Sequence, residues 1–186
     1  MVRIRDTLLR DTVELVPREP GKVSFYVCGP TVYDEPHVGN ARTAVVFDVI
    51  RRYLEWTGLD VTFVSNVTDV EDKIIARAAQ QGVTEPELAH QYEAVYFDIM
   101  DRLNVKRADH RPHATEYIGR MIDLVAQLVA SGHAYVVDDQ GVYFDVESFD
   151  RYGELSHRTI DELRESAGAR VDVDEAKRSP MDFALW

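Results

Sequence analysis

Three side chains with chemically useful groups lie close together in the segment Tyr26–Asn40. Cys28 follows a run of β-forming residues, and His37 and Asn40 stand three positions apart where an apolar-periodic stretch begins. That spacing places His37 and Asn40 one turn apart on the same face of a helix. Both side chains can donate hydrogen bonds, and the helix dipole adds partial positive charge. The segment therefore predicts an anion-binding site at the carboxyl end of a strand.

Each of these residue types also has an ordinary structural explanation. A single cysteine is often a small buried hydrophobe, and a histidine near a helix start is often a capping or surface residue. Thr68 fits a helix N-cap as well as it fits a ligand contact. Acidic residues at 69, 71 and 72 are favoured by the helix dipole, so they do not predict a metal cluster. The other histidines stand at no ligand spacing, and we expect them to be solvated: His90, His110, His113, His133 and His157.

The elements around the segment predict a βαβ unit. Residues 22–27 and 60–66 are rich in β-forming side chains, and residues 39–56 carry apolar side chains at helical spacing, with Arg51 and the charged residues beside it turned outward. Strand, helix and strand over about 45 residues are typical of a parallel crossover. The predicted fold is therefore α/β with a parallel sheet.

The rest of the chain predicts helices and hairpins. An N-terminal edge hairpin precedes the first strand, and residues 104–112 form a polar linker. Capping boxes and glycine stops predict the helices, and the turn at 138–141 predicts a hairpin. The further predicted elements are helices from Thr68 to Gly82, from Thr84 to Leu103 and over 116–131 with Thr115 as cap, strands 134–137 and 142–146, a short helix after Thr159 and a brief strand at 169–173.

Composition narrows the class of protein. With 186 residues and 45% apolar content the chain can bury a core, and its one cysteine excludes an internal disulfide framework. No apolar run approaches the roughly 20 residues that span a bilayer, and no signal-like segment opens the chain, so we expect a cytoplasmic location and no membrane. Residues 1–58 hold eight basic and eight acidic residues, so the rest carries the net charge of −12. That acidic part argues against polyanion binding there.

Taken together, the motifs resemble a known family over essentially the whole chain. They are similar to cysteinyl-tRNA synthetase, a class I aminoacyl-tRNA synthetase. The blocks that carry the resemblance are Tyr26–Asp34, His37–Asn40, Asn66–Ile75, Pro112–Glu116, Tyr143–Val146, Tyr152–Ser156 and Asp182–Trp186. The resemblance implies the first half of a Rossmann-like catalytic domain over 1–104. It also implies an α+β connective insertion, with a helix and a β-hairpin, over 105–186.

The resemblance implies an activity and its site. ATP and L-cysteine give cysteinyl-adenylate, with Mg²⁺ accompanying ATP, and a monomeric enzyme then transfers cysteine to tRNA(Cys). His37 and Asn40 take the catalytic role and bind ATP together with Gly39 and Thr31, where Gly39 lets the adenine ring approach the backbone. The implied adenylate-binding residues are Cys28, Gly29, Pro30, Thr31, Thr43, Asn66, Val67 and Thr68.

The resemblance also implies zinc, with Cys28 as one of four ligands. Zinc in the family binds the substrate thiolate. Because zinc prefers a thiolate to a hydroxyl, this contact discriminates cysteine from serine better than an apolar pocket could. The other three ligands, a cysteine, a histidine and a glutamate, are expected beyond position 186, as is the Lys-Met-Ser-Lys-Ser loop that holds the ATP phosphates. The isolated chain is therefore expected to bind zinc poorly and to be inactive.

Two alternatives remain open. The cysteine ligase of mycothiol synthesis forms the same adenylate but uses an amino-sugar acceptor. Segments Gly29–Tyr33 and His37–Asn40 match the tRNA enzyme better. The second alternative is a non-catalytic module that keeps a nucleotide or cysteine site, or serves only as an interaction piece.

Overall fold

The computed structural model describes residues 2–168 and 177–186. Val16–Ile118 forms one compact unit, and the N-terminal segment up to Leu15 forms a second unit with Gly119–Trp186. The predicted strand at 169–173 lies outside the described residues. Within them, no helix has the length and apolar character to cross a membrane.

The helices and strands largely follow the predicted order. In chain order they are β1 (Arg3–Asp6), β2 (Asp11–Glu14), β3 (Lys22–Val27), α1 (Val38–Trp56), β4 (Asp60–Ser65), α2 (Asp72–Gln81), α3 (Glu85–Arg102), α4 (Ile118–Ala130), β5 (Ala134–Val137), β6 (Gly141–Phe144), α5 (Ile160–Gly168) and β7 (Phe183–Ala184). A 3₁₀ turn precedes α4 and another follows β6.

The unit Val16–Ile118 is built on the predicted βαβ crossover. Strands β3 and β4 pair in parallel, with Lys22 opposite Asp60 and Val27 opposite Ser65. The intervening helix α1 packs against β4. Side chains alternate along β3, and its inward-facing Phe25 stacks on Phe63 with ring centroids 4.8 Å apart. The parallel pairing confirms the Rossmann-like α/β fold.

The predicted linker at 104–112 is wrong, because its second half pairs with β4. Ser65 N–H donates to the His110 carbonyl at 3.1 Å, and Val67 N–H donates to the Pro112 carbonyl at 2.9 Å. These bonds extend the parallel sheet by a third segment. The compact units divide at 15/16 and at 118/119. The domain boundary at 104/105 that the resemblance implies stays a prediction.

Helix α1 distributes its side chains differently from the prediction. Arg51 is only 7% exposed, so the prediction that it faces outward is wrong. Its guanidinium donates to Asp109 at 2.8 Å, to Glu55 at 3.0 Å and to the Arg107 carbonyl at 2.8 Å, which compensates the buried charge. Several members of the predicted apolar stripe are instead exposed: Val45, Val49, Ile50 and Tyr53.

Asp109 is the other half of this polar network. One carboxylate oxygen accepts from Arg51, and the other accepts from Phe63 N–H at 2.7 Å. Burial by itself would raise the pKa of Asp109, but these hydrogen bonds and the Arg51 charge outweigh it and lower the pKa. Asp109 therefore ties α1, β4 and the segment after α3 together as a carboxylate.

Helices α2 and α3 supply most of the core residues of this unit. The predicted cap is confirmed for one of these helices and is wrong for the other. Thr84 and Glu87 form the predicted capping box of α3. The predicted box at Thr68–Glu71 is wrong, because Glu71 itself caps α2 by accepting from Lys73 N–H at 3.0 Å. The core residues are Val32, Val67, Ile74, Ala78, Leu88, Ala89 and Tyr92.

The second unit holds the remaining strands. Hairpin β1–β2 and hairpin β5–β6 are confirmed, and β7 adds an unpredicted third strand to β6. Asp182, just before β7, is 2% exposed and accepts from the Tyr135 hydroxyl at 2.7 Å and from Val146 N–H at 3.1 Å. Thr159 caps α5 as predicted, through a bond from Glu162 N–H at 3.2 Å.

Two of the histidines predicted to be solvated are half-buried and have partners. His113 Nε2 lies 3.1 Å from both carboxylate oxygens of Glu93, and His133 Nδ1 lies 2.9 Å from the Ser148 hydroxyl. His113 also precedes the first turn before α4, so the predicted cap at Thr115 is wrong. Thr115 N–H instead donates to Asp69 at 3.0 Å.

Candidate functional site

The start of α1 is closed by two reciprocal hydrogen bonds. His37 is the N-cap, and its Nδ1 accepts from Gly39 N–H at 2.9 Å. The Asn40 side-chain oxygen accepts from His37 N–H at 3.0 Å. Because Nδ1 and Oδ1 act as acceptors, the neutral imidazole carries its proton on Nε2, and the Asn40 NH₂ group turns away from the cap. No described residue accepts from either group, so the cap leaves two donors at the helix N-terminus.

Gly39 is required by this cap. A Cβ at position 39 would lie 2.6 Å from Cε1 and 2.9 Å from Nδ1 of His37. Both distances are far shorter than van der Waals contact. Glycine at position 39 therefore leaves the space that the His37 ring occupies. This structural requirement for glycine is additional to the predicted approach of an adenine ring.

Two cavities of about 60 Å³ each open beside the predicted site residues. We call the first the helix-cap cavity, and its lining includes Thr31, Asp34, Glu35, His37, Asn40 and Tyr92. We call the second the thiol cavity, and its lining includes Cys28, Thr43, Phe47, Phe63, Asn66 and Phe97. Pro30 and Tyr96 line both cavities. The structure thus brings most of the predicted residues together within Val16–Ile118.

Asn66 fixes the turn that follows Cys28. Its side-chain oxygen accepts from Gly29 N–H at 2.8 Å and from the Tyr26 hydroxyl at 2.7 Å. Its NH₂ group donates to the Thr68 hydroxyl at 3.1 Å. A Cβ on Gly29 would lie 1.6 Å from the Asn66 carbonyl oxygen, so only glycine fits there. Burial, and secondarily the nearby Cys28 thiol, raise the pKa of Tyr26, which keeps its hydroxyl a donor.

Cys28 is exposed, which contradicts its interpretation as a buried packing residue. Its thiol follows β3 at the carboxyl end of the strand, as predicted. Among residues 2–168 and 177–186 no group of three or more histidine, cysteine or acidic side chains is placed to hold a metal ion. The described part of the chain therefore offers one thiol and does not by itself complete a four-ligand zinc site.

The acidic residues near α2 have structural partners. Asp69 accepts from the backbone of Thr115, and Glu71 caps α2. Both carboxylates therefore have a structural role. Val67 is 1% exposed, and its N–H and carbonyl bond to Pro112 and Ala114, so its predicted ligand contact has no support in this geometry.

Among the remaining predicted positions, Thr31 lines the helix-cap cavity and Thr43 lines the thiol cavity. Thr31 pairs in parallel with Thr68, whose N–H donates to the Pro30 carbonyl at 2.9 Å. The Thr43 hydroxyl donates to the Gly39 carbonyl one turn earlier, at 3.2 Å. The bonds of Thr68 hold the loop after β3 against the end of β4, whereas the Thr43 bond lies within α1.

Sequence reasoning missed the contribution of α3 to both cavities. Tyr92 and Tyr96 lie one helical turn apart and face the helix-cap cavity, and Tyr96 also faces the thiol cavity. The spacing of four residues between two tyrosines was a signal for a shared face. It gave no indication of which elements that face meets.

Comparison with known proteins places this geometry in a family. Residues 14–186 match the family model described as tRNA synthetases class I (C) catalytic domain. The chain belongs to this family. A cysteine–tRNA ligase of Carboxydothermus hydrogenoformans is 51% identical over 185 residues, covering 100% of this chain and 39% of the relative. One from Nitratidesulfovibrio vulgaris (Miyazaki F) is 52% identical, covering 100% and 38%. This class I synthetase chain therefore spans about 39% of the length of the curated relatives it matches.

Solved structures support the class I synthetase fold. A Mycobacterium tuberculosis methionyl-tRNA synthetase in complex with methionyl-adenylate has a TM-score of 0.57 at 19% identity, over 78% of this chain and 35% of that one. A ternary complex of Agrobacterium radiobacter K84 agnB2 LeuRS with tRNA and LeuAMS has a TM-score of 0.56 at 21% identity, over 72% and 18%. At these identities the likeness shows the fold alone.

Proposed function

We propose that this chain is the N-terminal portion of a cysteine–tRNA ligase, which activates L-cysteine with ATP and transfers it to tRNA(Cys). The observation that carries the proposal is the pair of donors at the start of α1, His37 Nε2 and Asn40 Nδ2, left available by a cap that uses only their acceptor atoms. These donors occupy the same compact unit as the exposed Cys28 thiol. Family membership and the named relatives support the choice of cysteine as the amino acid.

The proposed reaction needs positioning and charge stabilisation. A carboxylate oxygen of cysteine attacks the α-phosphorus of ATP, and the bond from that phosphorus to the bridging oxygen of pyrophosphate breaks. The leaving pyrophosphate takes the electron pair. His37 and Asn40 stabilise the charge that develops on the phosphoryl oxygens, and the α1 dipole adds to their effect. No covalent protein nucleophile takes part.

We assign different parts of the proposed ligand to the two cavities. Thr31 and Gly39, with His37 and Asn40, bind ATP at the helix-cap cavity, and Mg²⁺ accompanies the ATP phosphates. Cys28, Thr43 and residues 29–30 bind the aminoacyl part at the thiol cavity, together with the loop that Asn66 and Thr68 hold in place.

Zinc is proposed only for the longer protein. Cys28 would hold it through its thiolate, and the metal when bound would bind the thiolate of the substrate cysteine. The monomeric state and the cytoplasmic location stay predictions.

Cysteine-dependent ATP–pyrophosphate exchange tests the proposal. It is measured on the 186-residue chain and on the protein extended to the length of its relatives. We expect exchange with L-cysteine and not with L-serine in the extended protein, and none in the chain alone. Absence of exchange in the extended protein would contradict the enzyme proposal and favour a non-catalytic module. Transfer to an amino sugar in preference to tRNA(Cys) would favour the mycothiol-pathway ligase.

A further inference from the structure

Tyr96 lies on the boundary between the two cavities. It projects from α3, contributes to the lining of the thiol cavity and of the helix-cap cavity, and shares this double position with Pro30. Proline offers no side-chain hydrogen-bond donor. Tyr96 is therefore the residue at the shared boundary whose side chain can hydrogen-bond to a ligand.

The Tyr96 hydroxyl differs from its neighbour one turn earlier. The Tyr92 hydroxyl accepts from the Gln81 side chain at 3.1 Å, and Tyr92 belongs to the core. The Tyr96 hydroxyl has no hydrogen-bond partner among residues 2–168 and 177–186. The two tyrosines on this helix face thus differ in their hydrogen bonding. The Tyr92 hydroxyl has a partner in the protein, whereas the Tyr96 hydroxyl, beside two cavities, has none among the described residues.

The Tyr96 ring is held in place by its surroundings. It meets Phe97 edge to face, with centroids 5.3 Å apart and an interplanar angle of 76°. Phe97 in turn lies under the Arg107 and Arg111 guanidinium groups, at 4.2 Å and 5.0 Å from its centroid. Burial raises the pKa of Tyr96, so the hydroxyl keeps its proton at neutral pH and remains a donor.

We propose that Tyr96 contacts the substrate by donating a hydrogen bond to an oxygen of the acyl phosphate that joins cysteine to the nucleotide. This inference rests on the proposed function, because the ligand it names is the adenylate. In the proposed binding mode the aminoacyl part lies towards Cys28 and the phosphoryl part towards His37 and Asn40. The junction of the two parts then falls at the boundary that Tyr96 forms.

Variants Tyr96→Phe and Tyr135→Phe test this in the extended protein. Tyr135 is the control, because it lines neither cavity and its hydroxyl donates to Asp182 at 2.7 Å. The probes are a cysteinyl-sulfamoyl adenosine, whose sulfamate stands in for the acyl phosphate, and separately cysteamine and adenosine, which lack the carboxylate and the phosphate. We expect Tyr96→Phe to weaken binding of the joined analogue about 3- to 10-fold, the value of one hydrogen bond. Binding of the separate halves should change by less than about twofold, because neither half carries the junction. Tyr135→Phe should lower the melting temperature, because it removes that buried hydrogen bond, and should leave all three affinities unchanged.

The outcomes separate this inference from the proposed function. Equal affinity of Tyr96→Phe and the unchanged protein for the joined analogue would overturn the role of Tyr96, even with full cysteine-dependent exchange. Equal weakening of all three probes would also overturn it, because that result indicates a purely structural role. Absence of exchange and of analogue binding in the unchanged protein would remove the proposed function and this inference with it.

Discussion

The two ends of α1 use polar side chains in opposite ways. At the N-terminal end, the Nδ1 atom of His37 and the side-chain oxygen of Asn40 accept the hydrogen bonds of the helix cap. The N–H groups of both side chains stay available as donors. Towards the C-terminal end, Arg51 and Asp48 are buried, and their charged groups are engaged by partners on α1 and on the segment after α3. One end retains hydrogen-bonding capacity for a ligand, and the other uses its capacity to hold the unit together.

This difference separates function from stability in a single helix. Buried charges are tolerated only when they are paired, so the C-terminal network must be complete within the protein. A site that stabilises charge during a reaction needs oriented donors that the protein leaves available. Substitutions at the two ends should therefore affect different measurements.

Asn40→Asp should have the largest effect on activity. A carboxylate keeps the oxygen that accepts from His37 N–H, and negative charge in the first helical turn is favourable, so stability should hold. The variant replaces the proposed donor with an acceptor that repels phosphate. We expect cysteine-dependent exchange in the extended protein to fall about 100-fold or more, with an unchanged melting temperature.

The capping box of α3 supplies the opposite control. Thr84→Ala removes the same kind of cap far from the proposed donors and should cost about 1 kcal/mol of stability while exchange stays within about twofold. A variant Asn40→Asp that exchanges normally would show that its NH₂ group has no part in the reaction.

Asp109→Asn should have the largest effect on stability. It leaves the buried Arg51 guanidinium with Glu55 as its remaining carboxylate partner. Because the Asp109 side chain is 38% exposed, we expect a loss of about 2 kcal/mol in the free energy of unfolding, less than for a fully buried pair. Urea unfolding at neutral pH measures it.

Urea unfolding at lower pH tests whether the stability loss in Asp109→Asn depends on the charge of Asp109. The pKa of Asp109 is lowered in the folded state, so its contribution is present above the unfolded pKa of about 4 and disappears as pH falls through the folded value. The difference between variant and unchanged protein should shrink at lower pH. The matched control Asp98→Asn removes an exposed pair with Arg102 and should change stability by less than about 0.5 kcal/mol. Equal losses in the two variants would contradict the role given to Arg51.

Gly39→Ala should have a smaller effect on exchange. Its Cβ would displace the His37 ring, which moves one proposed donor without removing it. We expect roughly a tenfold loss of exchange, because catalytic groups are sensitive to misplacement. Gly119→Ala in α4 is the control, since a Cβ there meets nothing within 4 Å. It should stabilise the protein by up to about 1 kcal/mol and leave exchange unchanged. Normal exchange in Gly39→Ala would indicate that the reaction does not depend on the position that the helix cap gives to the His37 ring.

Local signals in the sequence were enough for much of this protein. The βαβ unit, the capping box at Thr84 and hairpin β5–β6 depend on residues close together in the chain, so their patterns predicted them. The gathering of Cys28, His37 and Asn40 at one strand end followed from the same local order. The site roles of these residues stay predictions that the geometry supports.

Other features were decided by contacts between residues distant in sequence. The polar segment before Pro112 pairs with β4, and Arg51 is buried, because Asp109 supplies a carboxylate 58 positions away. Thr68 has the local pattern of a cap, yet its hydroxyl accepts from Asn66 and its backbone bonds to the loop after β3. Tyr96 reached the site only through the packing of α3. Hydrophobic periodicity and capping describe one element at a time, whereas the partner of a buried charge or hydroxyl is set by which elements meet in space.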